Sequence, residues 1–170
     1  TWQYYLAESA GARVYNFGVG GYGLDQALLK LQRNYARAKT PIVVLGIYSA
    51  GTSRNLNAFR PFLEPSAGLE LGFKPMLLPT AAGYEWRESP LKTLDRAAME
   101  TALITASTYD YYYRQNQQKP RLGFPYLGTM LQEAYYFPFV YERMVELWND
   151  DHPAYLVMLE IVRRFVAFSQ

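Results

Sequence analysis

Apolar residues between positions 12 and 37 change from an alternating pattern to a helical one, with glycines between the two. The alternation over residues 12–19 predicts a strand, and the spacing over residues 24–37 predicts a helix. Gly18–Gly23 joins them with four glycines in six residues. Glycine permits positive φ and lets a ligand approach backbone N–H groups, and a helix start carries partial positive charge. The pattern predicts that a negatively charged group, permanent or transient, binds at this turn.

A second apolar run, residues 42–48, follows the helix after a break at Pro41. Such a run is typical of a strand covered on both faces. Two such strands joined by a helix form a right-handed βαβ unit, which places residues 18–23 and 48–54 at the carboxyl ends of the strands. We therefore predict an α/β fold of three layers, α/β/α and flavodoxin-like, with a short parallel sheet.

The rest of the chain is predicted to be mainly helical and to form one domain over residues 1–170. Residues 52–92 contain five prolines and are predicted to be an irregular insertion or flap, with short extended pieces. Because the first and last helical patterns have no strand beyond them, we expect an incomplete sheet and a chain truncated at both ends. A complete domain with a helix at each edge is the alternative. The remaining helical patterns cover residues 2–10, 93–117, 127–147 and 153–168.

Composition excludes several classes of function. A formal charge of +2 over 170 residues gives no reason to expect nucleic acid or an anionic membrane as a partner. No apolar run is long enough to span a membrane. The chain has no cysteine and one histidine, and we predict no cofactor and no metal. Tyrosine-rich clusters at residues 109–113 and 135–139 are expected to pack in the interior, with a ligand surface as the alternative.

The glycines also admit a dinucleotide-binding interpretation. Gly18, Gly20 and Gly23 fit the pattern G-x-G-x-x-G between a strand and a helix. That fingerprint requires an acidic residue about twenty positions later, at the end of the next strand. No carboxylate lies between Asp25 and Glu64, so this interpretation stays an alternative.

Residues 14–26 read V-Y-N-F-G-V-G-G-Y-G-L-D-Q and resemble the second conserved block of the SGNH (GDSL-type) esterases and lipases, a strand that ends in Asn-x-Gly/Ser-x-x-Gly. The resemblance implies hydrolysis or transfer of the acyl group of a small-molecule ester through an acyl-serine intermediate. Further stretches agree in order within residues 2–76, namely residues 43–49, Arg54, residues 57–62 and residues 73–75.

The resemblance also implies roles for single residues. Gly21 matches the glycine whose N–H donates to the oxyanion, and turn geometry alone is the other reason for a glycine there. Asn16 is expected to hold the turn through its side chain, or to contact substrate. Gly51 stands where the family has the asparagine that supplies a second donor. Asn55 is the candidate replacement, and Arg54 is a candidate to bind an anionic group, with a surface salt bridge as the alternative.

The nucleophile and the base of such a site are not found where the resemblance places them. The chain contains no Gly-Asp-Ser. His152 is a candidate base, but Asn149 stands at the aspartate position of Asp-x-x-His. A helix start at Pro153 is the favoured interpretation of the same residues. We therefore predict an inactive fragment of a serine esterase, with a non-catalytic binding or scaffold domain of the same ancestry as the alternative.

Overall fold

Helices form most of the regular structure of this chain. The computed structural model describes residues 2–63, 72–93, 95–113, 127, 131 and 145–170. Two 3-10 helices, Tyr35–Arg37 and Ser49–Leu56, accompany the α-helices. The α-helices whose two ends are both described are α1 at Trp2–Ala10, α2 at Leu24–Asn34, α3 at Arg60–Leu63, α4 at Arg96–Ser107 and α5 at Pro153–Ser169.

Local capping explains where these helices begin. The side chain of Gln26 accepts the N–H of Gly23, 3.1 Å away, at the start of α2. Asp95 caps α4 by accepting the N–H of Ala98 at 2.8 Å. The helices predicted at residues 2–10, 24–37 and 153–168 are present as α1, α2 with its 3-10 extension, and α5. The helix predicted at 93–117 ends earlier, at Ser107, and most of the one predicted at 127–147 lies outside the described residues.

The predicted three-layer α/β/α fold with a parallel sheet is wrong. Within the described residues the sheet has two strands, β1 at Met76–Thr80 and β2 at Gly83–Arg87, and they are antiparallel. Their register pairs Leu77 with Trp86, and the hairpin closes at Gly83, whose φ is +123°. These strands lie within residues 52–92, which were predicted to be an irregular flap with short extended pieces.

The two apolar runs that were predicted to be parallel strands, residues 12–19 and 42–48, belong to no sheet in this part of the chain. Exposure along the second run still alternates, because Val43 and Leu45 pack against the core while Ile42 and Val44 are 75% and 71% exposed. A strand is defined by hydrogen bonds to a neighbour, and apolar alternation specifies only the side-chain faces. The expectation that both faces of this run are covered is therefore wrong as well as the predicted pairing, because one face is exposed.

The main core joins α5 to α2, β1 and the 3-10 helix Ser49–Leu56. Leu28, Leu77, Val157 and Ile161 are fully buried there. Tyr111 and Tyr112, both partly buried, pack against this core, and Tyr109 packs against a smaller second cluster, as the packing interpretation of the first tyrosine cluster predicts. The second tyrosine cluster lies outside the described residues.

Candidate functional site

The glycine turn is exposed from Gly18 to Tyr22, and several of its backbone amides have no acceptor in the described part of the chain. Gly21 adopts φ +76°, in the left-handed region that favours glycine. Among the described residues its N–H has no acceptor, whereas the following amides are all bound. Tyr22 donates to the carbonyl of Val19 at 3.4 Å, Gly23 to Gln26 Oε1 at 3.1 Å, and Leu24 to Asn55 Oδ1 at 3.1 Å. The amides of Val19 and Gly20 likewise have no acceptor in this part of the chain, and Gly21 carries the last such amide before the bound amides at the start of α2.

The 3-10 helix Ser49–Leu56 holds the turn in place. Arg54 Nε donates to the carbonyl oxygen of Gly21 at 3.2 Å, and Arg54 Nη1 donates to Asn57 Oδ1 at 2.6 Å. Asn55 is fully buried, and its Oδ1 accepts the first amide of α2. The structure thus brings Gly21, Arg54 and Asn55 together, through side-chain hydrogen bonds rather than through a shared sheet edge.

A second cation borders the same turn. A methyl group placed on Gly21 would lie 3.1 Å from Arg60 Nη1. Gly21 therefore lies beside the guanidinium groups of Arg54 and Arg60 and near the positive end of α2. Together they favour an oxygen that carries negative charge at this place.

A buried ion pair lies beneath the turn. Asp25 and Lys74 are almost completely buried, and the ammonium group donates to Asp25 Oδ2. Burial raises the pKa of the Asp25 carboxyl and lowers the pKa of the Lys74 amine, while their mutual attraction opposes both shifts. Asp25 Oδ1 also accepts the N–H of Gln26 at 2.8 Å. Sequence reasoning missed this pair, because 49 residues separate its members.

A buried carboxylate organises the backbone next to the site. Asp110 Oδ2 accepts the N–H groups of Ala58 and Phe59 at 2.6 and 3.3 Å and the side-chain amide of Asn57 at 3.0 Å. Its Oδ1 accepts the amide of Tyr112 at 2.9 Å. Burial raises the pKa of Asp110, and its bonds to backbone amides oppose that shift. Asn57 thereby links this carboxylate to Arg54, a connection that the sequence pattern did not indicate.

Asn16 and Gly51 lie at the edges of the site. Asn16 Oδ1 accepts the N–H of Gly18 at 2.9 Å, which is the turn-holding contact expected of it. Gly51 donates its N–H to the carbonyl of Tyr48 at 2.9 Å, and a methyl group placed on Gly51 would lie 3.7 Å from the ring of Tyr48. Its backbone amide is therefore used within its own 3-10 turn.

His152 is the N-cap of α5. Its Nδ1 accepts the N–H of Ala154 at 3.1 Å, and its Nε2 lies 3.2 Å from the hydroxyl of Tyr111. In a serine-hydrolase triad Nδ1 carries a proton that it donates to an orienting carboxylate. Here Nδ1 is an acceptor, so the ring is in the opposite tautomer. The geometry favours the helix-start interpretation of this residue.

A cavity of about 910 Å³ adjoins the turn. It is lined by both irregular apolar segments, with Phe17, Val43 and Leu45 among them, and by the glycines of Gly18–Gly23. Its only charged lining side chain within the described residues is Arg13. The volume lies within the range of small-molecule sites, and such a lining suits an apolar ligand group.

The dinucleotide interpretation finds few free donors at the start of α2. Gly23, Leu24 and Gln26 donate their amides to side chains of this chain, and buried Asp25 places a carboxyl group at the same helix start. A pyrophosphate needs these amides for itself. This alternative therefore gains no support from the geometry.

In the part of the chain that the structure describes, no group of three or more metal-ligating side chains is assembled. No helix among these residues combines the length and the apolar character needed to cross a membrane. Comparisons of the chain with protein-family models, curated proteins and solved structures found no match. The chemistry of the site is therefore inferred from its residues.

Proposed function

We propose that the Gly18–Gly23 turn binds the carbonyl oxygen of a small acyl ester and stabilises the negative charge that this oxygen acquires during acyl transfer. The observation that carries the proposal is the amide of Gly21. It is exposed and without an acceptor in the described part of the chain, while the next three amides are occupied. A fixed donor of this kind needs no reorganisation as charge develops, and losing one costs about 100- to 1,000-fold in rate.

Two further features support the same substrate class. The guanidinium groups of Arg54 and Arg60 lie beside Gly21 and favour a negatively charged oxygen. The apolar cavity begins at the same glycines and provides a surface for the acyl part of the ester. The polar and apolar ends of an ester thus each have a matching surface.

We expect the chain alone to bind such a group without turning it over. Among the serines whose side chains are described, none hydrogen-bonds to His152, whose Nε2 contacts Tyr111 instead. These residues therefore provide no activated nucleophile. The chain serves as the oxyanion-binding part of a serine-esterase site whose nucleophile and base come from elsewhere. A non-catalytic binding domain is the second candidate, favoured by Gly51 at the position of the missing donor and by the capping role of His152.

Calorimetric titration with monoethyl methylphosphonate, a tetrahedral anion that mimics the ester intermediate, tests the binding site. Arg54→Lys keeps the charge but cannot bridge Gly21 and Asn57, so we expect about tenfold weaker binding than in the native chain. Arg96→Lys is the matched control, because Arg96 pairs with Glu100 on α4 and is exposed. Equal affinities for the two variants, or no binding to the native chain, would contradict the proposal.

An assay with a short-chain nitrophenyl ester separates the two candidates. The native chain should show no turnover above that of His152→Ala. Recovery of turnover when segments bearing Gly-Asp-Ser and Asp-x-x-His are supplied in the same polypeptide would support the esterase. Binding of the phosphonate with no turnover in any such fusion would support the non-catalytic domain.

A further inference from the structure

His152 connects the last helix to the segment that carries Tyr111, and it uses both ring nitrogens to do so. Nδ1 accepts the N–H of Ala154 at 3.1 Å. Nε2 lies 3.2 Å from the hydroxyl of Tyr111, and the two rings meet edge to face with centroids 5.7 Å apart. The contact spans 41 residues, so it is a tertiary link as well as a helix cap.

Only the neutral ring can make this set of contacts. A neutral imidazole has one donor and one acceptor nitrogen, so Nδ1 as acceptor places the proton on Nε2, which donates to Tyr111. Protonation turns Nδ1 into a donor that faces the N–H of Ala154. It also adds positive charge at the positive end of a 17-residue helix. Both changes disfavour the cap.

We propose that His152 is a proton-sensitive N-cap, which releases the first turn of α5 when the ring takes up a proton. The affected turn contributes to the core, because Ala154 is fully buried in it and Val157, directly after it, is fully buried too. The same core includes Leu56, at the end of the 3-10 helix that holds the glycine turn. Protonation of a half-buried ring is thereby coupled to the packing behind the ester-binding turn.

The surroundings of the ring set the direction of the pH effect. Glu146 and Asp151 favour the charged ring, burial disfavours it more strongly, and the hydroxyl of Tyr111 faces Nε2. The net result lowers the pKa of His152 below its ordinary value of 6.5. The unfolded chain therefore binds the proton more readily than the folded chain. The stabilisation is complete above about pH 6.5 and is lost as the pH falls from there through the folded pKa.

The chain has one histidine, so NMR of its imidazole reports on this residue alone. We expect the imidazole to titrate below about pH 6.5, and the hydrogen-exchange protection factor of the Ala154 amide to fall about fivefold between about pH 7.5 and pH 5. His152→Asn supplies a cap that does not titrate, so in this variant the protection factor should not change over the same range. Tyr111→Phe removes the partner of Nε2 and should shift the titration of the imidazole.

Three results would overturn the proposal. The first is an imidazole that titrates at or above about pH 6.5 with unchanged protection of Ala154. The second is a fall in the protection factor of the Ala154 amide in His152→Asn that equals the fall in the native chain, which would assign the effect to a carboxyl group. If His152→Asn does not fold, the native chain still tests the proposal, because the chemical shift of the Ala154 amide should titrate with the same midpoint as the imidazole. The third contradicting result is a midpoint for the Ala154 amide that differs from that of the imidazole.

Discussion

At the residue scale, the turn requires glycine for two reasons. One is the positive φ of Gly21, and the other is the small space that neighbouring atoms leave for a side chain at Gly23. A methyl group on Gly23 would lie 2.5 Å from Asp25 Oδ1 and 3.4 Å from Asn55 Oδ1. The Asp25 carboxyl group is held by Lys74 and by the amide of Gln26, so it cannot easily move away. Gly20, in the same turn, has no atom within 4 Å of the corresponding position.

This contrast predicts different costs for two alanine substitutions. Gly23→Ala should destabilise the fold by about 1–3 kcal/mol, because the new methyl group displaces a buried, ion-paired carboxylate. Gly20→Ala should be neutral or slightly stabilising, since it only restricts the unfolded chain. Urea unfolding of both variants checks this. Equal midpoints would show that the crowding around Gly23 is not present in solution.

The sequence indicated part of this residue-level picture. Gly21 and Asn16 were identified because turn chemistry is local and has a recognisable pattern. Asp110 and the Asp25–Lys74 pair were missed, because a buried charge is recognised by partners that are remote in sequence. An aspartate inside a predicted helix and a lysine beside a proline look like ordinary surface residues until the chain is folded.

At the element scale, helices could be predicted and strand pairing could not. The apolar period of a helix and its caps depend on residues that are close in sequence, so α1, α2 and α5 agree with the helical patterns of their segments. The apolar run at residues 42–48 predicted a segment covered on both faces, but only the face of Val43 and Leu45 packs against the core. It carried no information about a hydrogen-bonding neighbour, because that depends on another segment.

The alternating faces of this run can be tested by truncation. Leu45→Ala should destabilise the fold by about 1–3 kcal/mol. This is less than the cost of the same substitution at a fully buried leucine, because Leu45 is only partly buried. Val44→Ala should change the stability by less than about 0.5 kcal/mol, because Val44 is 71% exposed. Thermal or urea unfolding measures both. A larger effect for Val44 would show that the outward face is covered in solution.

At the scale of the whole molecule, the buried Asp25–Lys74 pair ties α2 to the segment that enters β1. Lys74 also donates its backbone N–H to the carbonyl of Ala58, 2.9 Å away. The glycine turn, the loop after the 3-10 helix and the hairpin are thereby held at one place. This arrangement positions the proposed site without the parallel sheet that the sequence had suggested.

Removing one member of the pair should cost more than removing both charges. Lys74→Met leaves the buried Asp25 carboxylate unpaired and should destabilise the fold by about 3–5 kcal/mol. Adding Asp25→Asn to that variant removes the lone charge and keeps an acceptor for Gln26, so the double variant should be more stable than Lys74→Met alone. A double-mutant cycle from urea unfolding gives the coupling, expected to exceed about 1 kcal/mol. Additive effects would mean that the pair does not form.

The amide of Gly21 is the most direct test of the account as a whole. In an isotope-labelled chain titrated with monoethyl methylphosphonate, the Gly21 N–H resonance should shift downfield and saturate. The amides of Gly23 and Leu24, which already donate within the protein, should move little. An unmoved Gly21 resonance at saturating ligand, or a larger shift at Leu24 than at Gly21, would contradict the assignment of this turn as an oxyanion-binding site.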